Sequence, residues 1–190
     1  EMFESTGWWG NKWAVQLGAK WIDVLNVKNL DLQLESNAVR PYTYAYHDKT
    51  NSVTHYNQPV SHPLGANFKE QVIVLRYQPK RDWNLRIAYF NSNRGLDSSM
   101  NSMMKYGGNI LRPYSANSRP KERGIEIGQG LKENIQLFDF MVSYHIFHNA
   151  FIDLRYVKRI RDVELPLNSY NSDIFYFGFR LNTDAMRFDF

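Results

Sequence analysis

The side chains best suited to binding a ligand are concentrated in one polar stretch, residues 39–68. Tyrosine rings stack on the faces of sugar rings, and amide and imidazole groups bond sugar hydroxyls. The composition of this stretch therefore predicts a sugar-binding surface. The candidate glycan-binding residues are Arg40, Tyr42, Tyr44, Tyr46, His47, His55, Tyr56, Asn57, Gln58, His62 and Asn67. Prolines within the stretch favour an ordered loop, because proline fixes φ.

A second interpretation of residues 39–68 is structural. The loop would then fold into the mouth of a barrel, with its tyrosine hydroxyls bonded to charged side chains inside. A metal site built on His47, His55 and His62 is not favoured, because their spacing matches no ligand motif and Asp48 is the only carboxylate nearby. We therefore predict no metal ion and no other cofactor.

A second long polar stretch, residues 91–134, is modestly basic. Its lysines and arginines suit the phosphates of lipopolysaccharide or an acidic polymer, but an ordinary solvated or plug-like loop is the favoured interpretation. Gly107-Gly108 and Gly128-Gln129-Gly130 predict turns and not phosphate cradles, since no strand–glycine loop–helix context surrounds them.

Segments with a period of two residues flank these loops and must position them. They predict strands over residues 12–22, 30–36, 70–78, 83–90, 135–146, 150–158 and 174–181. Most approach the about 9–11 residues that a tilted membrane-spanning strand requires. No segment of comparable length has the period of about 3.6 residues that marks an amphipathic helix.

Sorting each predicted strand into its two faces separates apolar from charged residues. Lys158 is the one charge on the face that carries tryptophan, leucine and phenylalanine. The opposite face mixes both signs of charge, which predicts ion-pair ladders that hold a lumen closed and not a selective pore. The predicted lumen charges are Asp31, Glu35, Arg76, Arg86, Asp139, Asp153, Arg155 and Arg180.

The strands of a soluble β-sandwich also alternate between apolar and polar residues, with the apolar face turned inward. Further patterns must therefore decide whether the apolar face contacts a protein core or lipid. The connections alternate between short and long, as the periplasmic turns and external loops of outer-membrane barrels do. The few polar residues on the apolar face fall at the outer ends of the strands; they are Ser36, Gln71, Gln136 and Lys158. Aromatic residues lie near both ends of the apolar segments, as the aromatic girdles of membrane barrels do. The chain closes on alternating aromatics ending at Phe190, which resemble the recognition signal of barrels awaiting assembly.

These patterns predict an all-β fold and a location in the bacterial outer membrane. Residues 1–190 would form the C-terminal part of a transmembrane antiparallel β-barrel of about seven strands. The chain begins without the basic and apolar regions of a signal peptide, so we expect a mature chain or a fragment. Because open sheet edges are not viable in hydrocarbon, we expect missing N-terminal strands or another subunit to close the barrel.

Composition excludes several classes of function. There is no cysteine, so neither disulfides nor thiolate chemistry is available. The mean hydropathy of −0.52 and the lack of a long apolar run exclude a helical membrane protein. The net charge of +4 is mild and no basic stripe exists, so no nucleic-acid partner is expected. A catalytic carboxylate pair with a helper arginine could be read into Asp139, Asp153 and Arg155. The sequence shows no Ser/His/Asp arrangement with supporting context, so we predict neither catalytic residues nor enzyme activity.

The loop motifs also carry a family resemblance. Val39-Arg40-Pro41-Tyr42-Thr43-Tyr44, His55-Tyr56-Asn57-Gln58-Pro59 and His62-Pro63-Leu64-Gly65-Ala66-Asn67-Phe68 resemble the Wzi-type capsule-assembly family of outer-membrane proteins. Leu75-Arg76-Tyr77-Gln78-Pro79, Ile127-Gly128-Gln129-Gly130, Phe175-Tyr176-Phe177-Gly178-Phe179-Arg180 and Phe188-Asp189-Phe190 are similar to its Bacteroidetes branch, which includes RemB-like gliding-motility proteins. The resemblance implies a larger barrel whose N-terminal half is absent here.

The resemblance implies a role in attaching surface polysaccharide, or in gliding motility and its secretion apparatus. The leading functional hypothesis is a non-enzymatic barrel that holds or assembles capsule polysaccharide. One alternative is a structural subunit of a gliding-motility or type 9 secretion complex, and another is a diffusion channel. The expected partners are outer-membrane lipid, lipopolysaccharide, surface polysaccharide and the chains that complete the barrel.

Overall fold

A computed structural model describes residues 6–48, 51, 53–56, 58–97, 104–165 and 169–182. Within these ranges the protein is all-β, with two short 3-10 turns at Val24–Asn26 and Ala116–Ser118. No helix in this part of the chain has the length and apolar character needed to span a membrane. The strands are β1 (Ala14–Trp21), β2 (Leu30–Val39), β3 (Thr54–His55), β4 (Gln58–Pro59), β5 (Phe68–Lys80), β6 (Trp83–Leu96), β7 (Leu131–Phe147), β8 (Ala150–Val163) and β9 (Tyr170–Leu181).

Seven of these strands form one antiparallel sheet in the order β1-β2-β5-β6-β7-β8-β9. Each strand pairs with the next one of the sheet along the chain, which is the up-and-down pattern that hairpins produce. The β7–β8 turn needs a positive φ, and Asn149 supplies it at 61°. Among the described residues, strands β1 and β9 pair on one side only, so each leaves an open edge.

All seven predicted strand segments are confirmed, but most of their limits are wrong. Strand β6 continues to Leu96, β7 begins at Leu131, β8 continues to Val163 and β9 begins at Tyr170. In these extensions polar residues such as Asn93 occupy the face that is apolar elsewhere. The hydrogen-bonded ladder continues there without any apolar period, and so the sequence pattern could not reveal it.

The longer strands also shorten some of the predicted connections. The connections at residues 40–67 and 97–130 are long and those at 81–82 and 148–149 are tight, as predicted. The last connection shrinks to residues 164–169, which is shorter than the supposedly short connection at 22–29. Neighbouring connections therefore still alternate between shorter and longer along the chain, but the last one is far shorter than predicted.

The register brings the predicted apolar side chains of all seven strands onto one face. We call this the apolar face and the other the polar face. One row across the apolar face runs Trp21, Leu32, Leu75, Ile87, Phe140, Tyr156 and Phe175. The predicted polar exceptions Ser36, Gln71 and Gln136 also share a row, which Asn91 joins.

Burial is concentrated on the polar face. Val72, Val74 and Ala88 form one buried cluster in the middle of the sheet. A second cluster joins Val39 and Phe68 at the strand ends to Ala66 and Ile110 of the long connections. The connections thus fold back over the polar face at one end of the sheet and leave the apolar face uncovered.

Within the first long connection the chain forms a short hairpin that the sequence did not predict. Strands β3 and β4 pair through Thr54 with Pro59 and through His55 with Gln58. Two-residue strands are too short to display a period, so no sequence pattern could mark them.

Candidate functional site

An ion-pair network crosses the polar face, and its centre is Asp139 on β7. Its carboxylate accepts hydrogen bonds from Arg86 on β6 at 2.6 Å and from Arg155 on β8 at 2.7 and 3.0 Å. The Asp139 side chain is 4% exposed, so the two guanidinium groups neutralise an otherwise costly buried charge. The β6–β7–β8 register places both arginines one row away from Asp139 and on the same face.

The network continues towards β9 and towards the strand ends. Arg180 donates to Asp153 at 2.9 Å, and Ser143 donates to the same carboxylate. Further along β7, the buried Glu133 is held by Arg94 from β6 and by Arg161 from β8, the latter at 2.5 Å. Sequence analysis missed the Glu133 pairs because they lie in the strand extensions that it assigned to loops.

On the β1–β2–β5 side the charged groups bond through amides. Gln33 links Glu35, at 2.5 Å, to Arg76, at 2.9 Å. Lys20 of β1 lies 3.4 Å from Asp31 of β2. The predicted lumen charges therefore share one face and bond one another or their polar neighbours. They are Asp31, Glu35, Arg76, Arg86, Asp139, Asp153, Arg155 and Arg180.

Several candidate glycan-binding residues lie inside the folded connections. Tyr42 is 0% exposed, and its hydroxyl donates to the carbonyl of Lys105 at 2.6 Å. Burial raises the pKa of Tyr42 well above its ordinary value, and the nearby carboxylate of Asp97 acts in the same direction. The Arg40 guanidinium donates to the carbonyls of Trp8 and Ile125, and burial lowers its pKa.

Asn67 ties three segments of the chain together. Its amide donates to the carbonyls of Gly95 at 2.9 Å and Gln129 at 2.8 Å, and its carbonyl accepts from the Gly128 N–H at 2.7 Å. Close approach requires glycine at position 95, where an added Cβ would lie 1.8 Å from the Gln129 carbonyl oxygen. We call Asn67, Gly95, Gly128 and Gln129 the Asn67 junction. It fixes both long connections to the end of β6.

His62 and Tyr44 also make internal contacts. The His62 Nδ1 accepts from the Leu64 N–H at 3.2 Å, so Nε2 carries the proton of the neutral ring. That Nε2 lies 3.2 Å from a carboxylate oxygen of Glu70, and Asn37 donates to the same carboxylate at 2.8 Å. Tyr44 is half-buried against the Val39–Phe68 cluster.

The remaining candidates are exposed. Tyr56 is 88% exposed, and His55 packs against its ring with the centroids 4.4 Å apart. Tyr46, His47 and Gln58 are exposed as well, with Lys12 Nζ at 5.6 Å from the Tyr46 ring. Asn57 lies outside the described residues, as does the terminal motif that ends in Phe190.

An aromatic cluster beneath the first connection was not predicted. The rings of Trp9 and Tyr114 lie 5.2 Å apart, with the Arg119 guanidinium 3.8 Å from the Trp9 ring. Lys12 donates to the Tyr114 hydroxyl at 2.7 Å and to the Ala45 carbonyl at 2.9 Å. Trp9 lies outside every predicted strand and Tyr114 is distant in sequence, so no local pattern joined them.

The structure therefore divides the candidates into a buried group that holds the connections together and an exposed group on the β3–β4 hairpin and around Tyr46. Their role in glycan binding stays a prediction. Within the described ranges, no group of three or more histidine and acidic side chains could hold a metal ion. Comparison with protein-family models finds no matching family, and comparisons with curated proteins and with solved structures find no significant match.

Proposed function

We propose that this chain is part of a bacterial outer-membrane β-barrel that holds or organises polysaccharide at the cell surface and performs no catalysis. One observation carries the membrane part of the proposal. In the central strands of the sheet the charged face is the covered one, and the apolar face is the exposed one. A sheet in water buries its apolar face, whereas a barrel wall in lipid turns that face outward.

The exposed fractions of individual side chains show that the apolar face is more exposed than the polar face. On the central strand β7, Phe138 is 36% exposed and Tyr144 is 39% exposed on the apolar face, whereas Asp139 is 3% exposed and Ser143 is 5% exposed on the polar face. Monomeric soluble proteins rarely expose contiguous apolar patches of more than about 300–600 Å². An apolar face that runs across every strand of the sheet therefore favours hydrocarbon as its environment.

The position of the aromatic residues supports the same environment. Trp83 and Tyr144 pair across β6 and β7 next to the tight turns, with ring centroids 4.8 Å apart. Near the other end of the apolar band the Phe138 and Tyr156 rings lie 6.4 Å apart. Amphipathic rings concentrate at both membrane–water interfaces, and these two groups match that preference.

The outer limit of the apolar band slants across the strands. On β1 the apolar Val15 shares a row with Lys69 of β5 through Ala38, while on β8 the charged Lys158 shares a row with the apolar Ile73. Strands of membrane barrels tilt by about 35–45° from the membrane normal, so a membrane surface crosses their rows obliquely. The slant is what such a tilt produces.

Closure of the barrel requires further strands. Seven antiparallel strands place β1 and β9 in the same direction, so joining their open edges directly would make a parallel pair. An odd number of additional strands restores antiparallel pairing throughout. Those strands would come from more of the same polypeptide or from another subunit.

The polysaccharide part of the proposal rests on the exposed residues of the first long connection. We expect Tyr46→Ala, His55→Ala and Tyr56→Ala, combined in one variant, to lower the amount of polysaccharide retained on cells, because two exposed tyrosine rings and one exposed imidazole are lost. Val60→Ala is the matched control, since it shortens a side chain of the same connection that is 65% exposed and is not a glycan-binding candidate. Equal retention in the triple variant and the wild type contradicts the polysaccharide role.

Two alternative functions have distinct tests. The open edges of β1 and β9 favour a structural subunit that pairs with neighbours in a larger complex, which copurification in mild detergent would reveal. The paired charges and overlying connections argue against a diffusion channel. Steady ion conductance in planar bilayers would favour the channel instead.

A further inference from the structure

A cavity of about 720 Å³ lies among the long connections at the end of β6. Its lining comes from residues 59–65, 94–97 and 108–112, together with Leu131 at the start of β7 and Leu165 just after β8. Its lining is mostly aliphatic and includes Leu64, Ile110 and Leu131. The volume falls within the about 300–1,000 Å³ that is usual for ligand pockets.

One buried carboxylate in the cavity wall lacks a complete set of partners. Asp97 follows β6, and its side chain is 6% exposed. The Oδ1 atom accepts a hydrogen bond from the Tyr106 N–H at 2.6 Å. Among the described residues the Oδ2 atom accepts no hydrogen bond of good geometry, and Arg112 Nη1 lies 3.8 Å away. The backbone N–H groups of Gly107 and Gly108 also act on this carboxylate. A buried carboxylate oxygen without a hydrogen bond is costly, and buried polar atoms in this state are rare in folded proteins.

The charges in the cavity wall balance. Asp97 faces Arg112, and the other arginine of the lining, Arg94, is bonded to Glu133. A cationic ligand would meet Arg112 and an anionic ligand would meet the Asp97 carboxylate. The cavity is thus suited to a neutral molecule that brings a hydroxyl donor for Oδ2 and an apolar surface for the leucines.

We propose that this cavity binds a neutral sugar unit, with one sugar hydroxyl donating to Asp97 Oδ2 and the Arg112 guanidinium donating to a sugar oxygen. The aliphatic lining contacts the C–H groups of the ring. The inference rests on the proposed function for its ligand class, and Pro59 of the β3–β4 hairpin joins the cavity to the exposed tyrosine and histidine residues.

A binding role and a structural role for Asp97 differ in their effect on stability. Burial raises the pKa of Asp97, and Arg112 and the backbone N–H groups of Tyr106, Gly107 and Gly108 only partly oppose that rise. The charge of Asp97 also acts on nearby Tyr42, whose pKa it raises. The ionised carboxylate therefore weakens the unliganded protein at neutral pH, and Asp97→Asn removes that cost while its carbonyl still accepts from Tyr106.

The sign of the pH dependence follows from the raised pKa. The folded state favours protonated Asp97, so the wild type gains stability from this group as the pH falls through its pKa. Asp97→Asn stays neutral throughout. We expect the thermal midpoint of the variant to equal or exceed that of the wild type at pH 7.5, and the difference to narrow in acid.

The test uses the purified protein in detergent with the neutral disaccharides and trisaccharides of glucose, galactose, mannose and N-acetylglucosamine. Binding is measured by array screening followed by isothermal titration calorimetry. We expect at least one of these sugars to bind the wild type, and Asp97→Asn and Arg112→Gln each to weaken that binding at least tenfold. Glu126→Gln, an exposed carboxylate in the same connection, is the control and should bind as the wild type does.

Four outcomes overturn the inference: no binding of any neutral sugar to the wild type, undiminished binding by Asp97→Asn, preference for polygalacturonate or chitosan oligomers, and a lower thermal midpoint of Asp97→Asn at pH 7.5. Failure of the proposed function has a different signature. Cell-surface polysaccharide would then be unchanged in the triple variant of Tyr46, His55 and Tyr56, while the purified protein still bound a neutral sugar through Asp97.

Discussion

Substitutions along one strand can measure whether lipid or water surrounds the apolar face. Strand β7 carries Gln136, Phe138, Phe140, Val142 and Tyr144 on that face, in alternate positions. Val142 lies in the middle of the apolar band, paired with Leu85 on one side and Leu154 on the other. We would replace each of these five residues in turn by arginine and measure the free energy of unfolding.

The expected magnitudes follow from depth. Gln136 and Val142 are six residues apart on β7, which at ~3.3 Å per residue is about 20 Å along the strand. With a tilt of about 40° the difference in depth is about 15 Å, which exceeds half of the ~25 Å apolar band of membrane barrels. Val142→Arg should therefore destabilise by about 2–4 kcal/mol, and Gln136→Arg by about 0–1 kcal/mol.

The assay is reversible unfolding by denaturant in lipid vesicles, followed by tryptophan fluorescence. Val142→Leu is the control, because it changes size without introducing a charge. In the arginine series the loss of unfolding free energy should increase from Gln136 to Val142 and decrease again at Tyr144. A flat series, or a protein that stays folded and monodisperse in buffer without detergent or lipid, would refute the reasoning.

The other predictions concern the polar face and the connections above it. Asp139→Asn removes the charge that Arg86 and Arg155 share, and since both arginines are partly exposed we expect a loss of about 1.5–3 kcal/mol, measured by the same unfolding assay. Gly95→Ala should release the Asn67 junction, because the new Cβ would collide with the Gln129 carbonyl. Limited proteolysis within residues 104–130 should then be faster than in the wild type, while Gly178→Ala, whose Cβ meets nothing within 4 Å, should leave it unchanged.

Alternation of residue types was enough to locate the strands and to assign their two faces. Because strand side chains point alternately to opposite faces, residues such as Leu75 and Arg76 belong on different faces whatever the neighbouring strand is. The register then places Arg76 opposite Asp31 on the polar face. The pattern disappears where both faces are polar, which is why the ends of β6 to β9 were not found.

The candidate site was less accessible to sequence reasoning. Tyrosine, histidine and asparagine bind ligands and also satisfy buried backbone groups, and the residue type does not distinguish the two uses. Tyr56 and Tyr42 belong to the same polar loop, yet one is 88% exposed and the other 0% exposed. The sequence did not mark Asp97 as a binding residue, because an aspartate after a strand is common and its burial cannot be seen from neighbouring residues.

The sequence by itself determined the all-β class, the antiparallel strand segments and the separation of charged from apolar faces, since these depend on a local period of two residues. Tertiary structure alone decided which side chains meet. Asp139 with its two arginines, the Asn67 junction and the Asp97 cavity all join residues that are distant along the chain. Their contacts depend on strand register and on how the connections fold back, and neither is encoded in any short stretch of sequence.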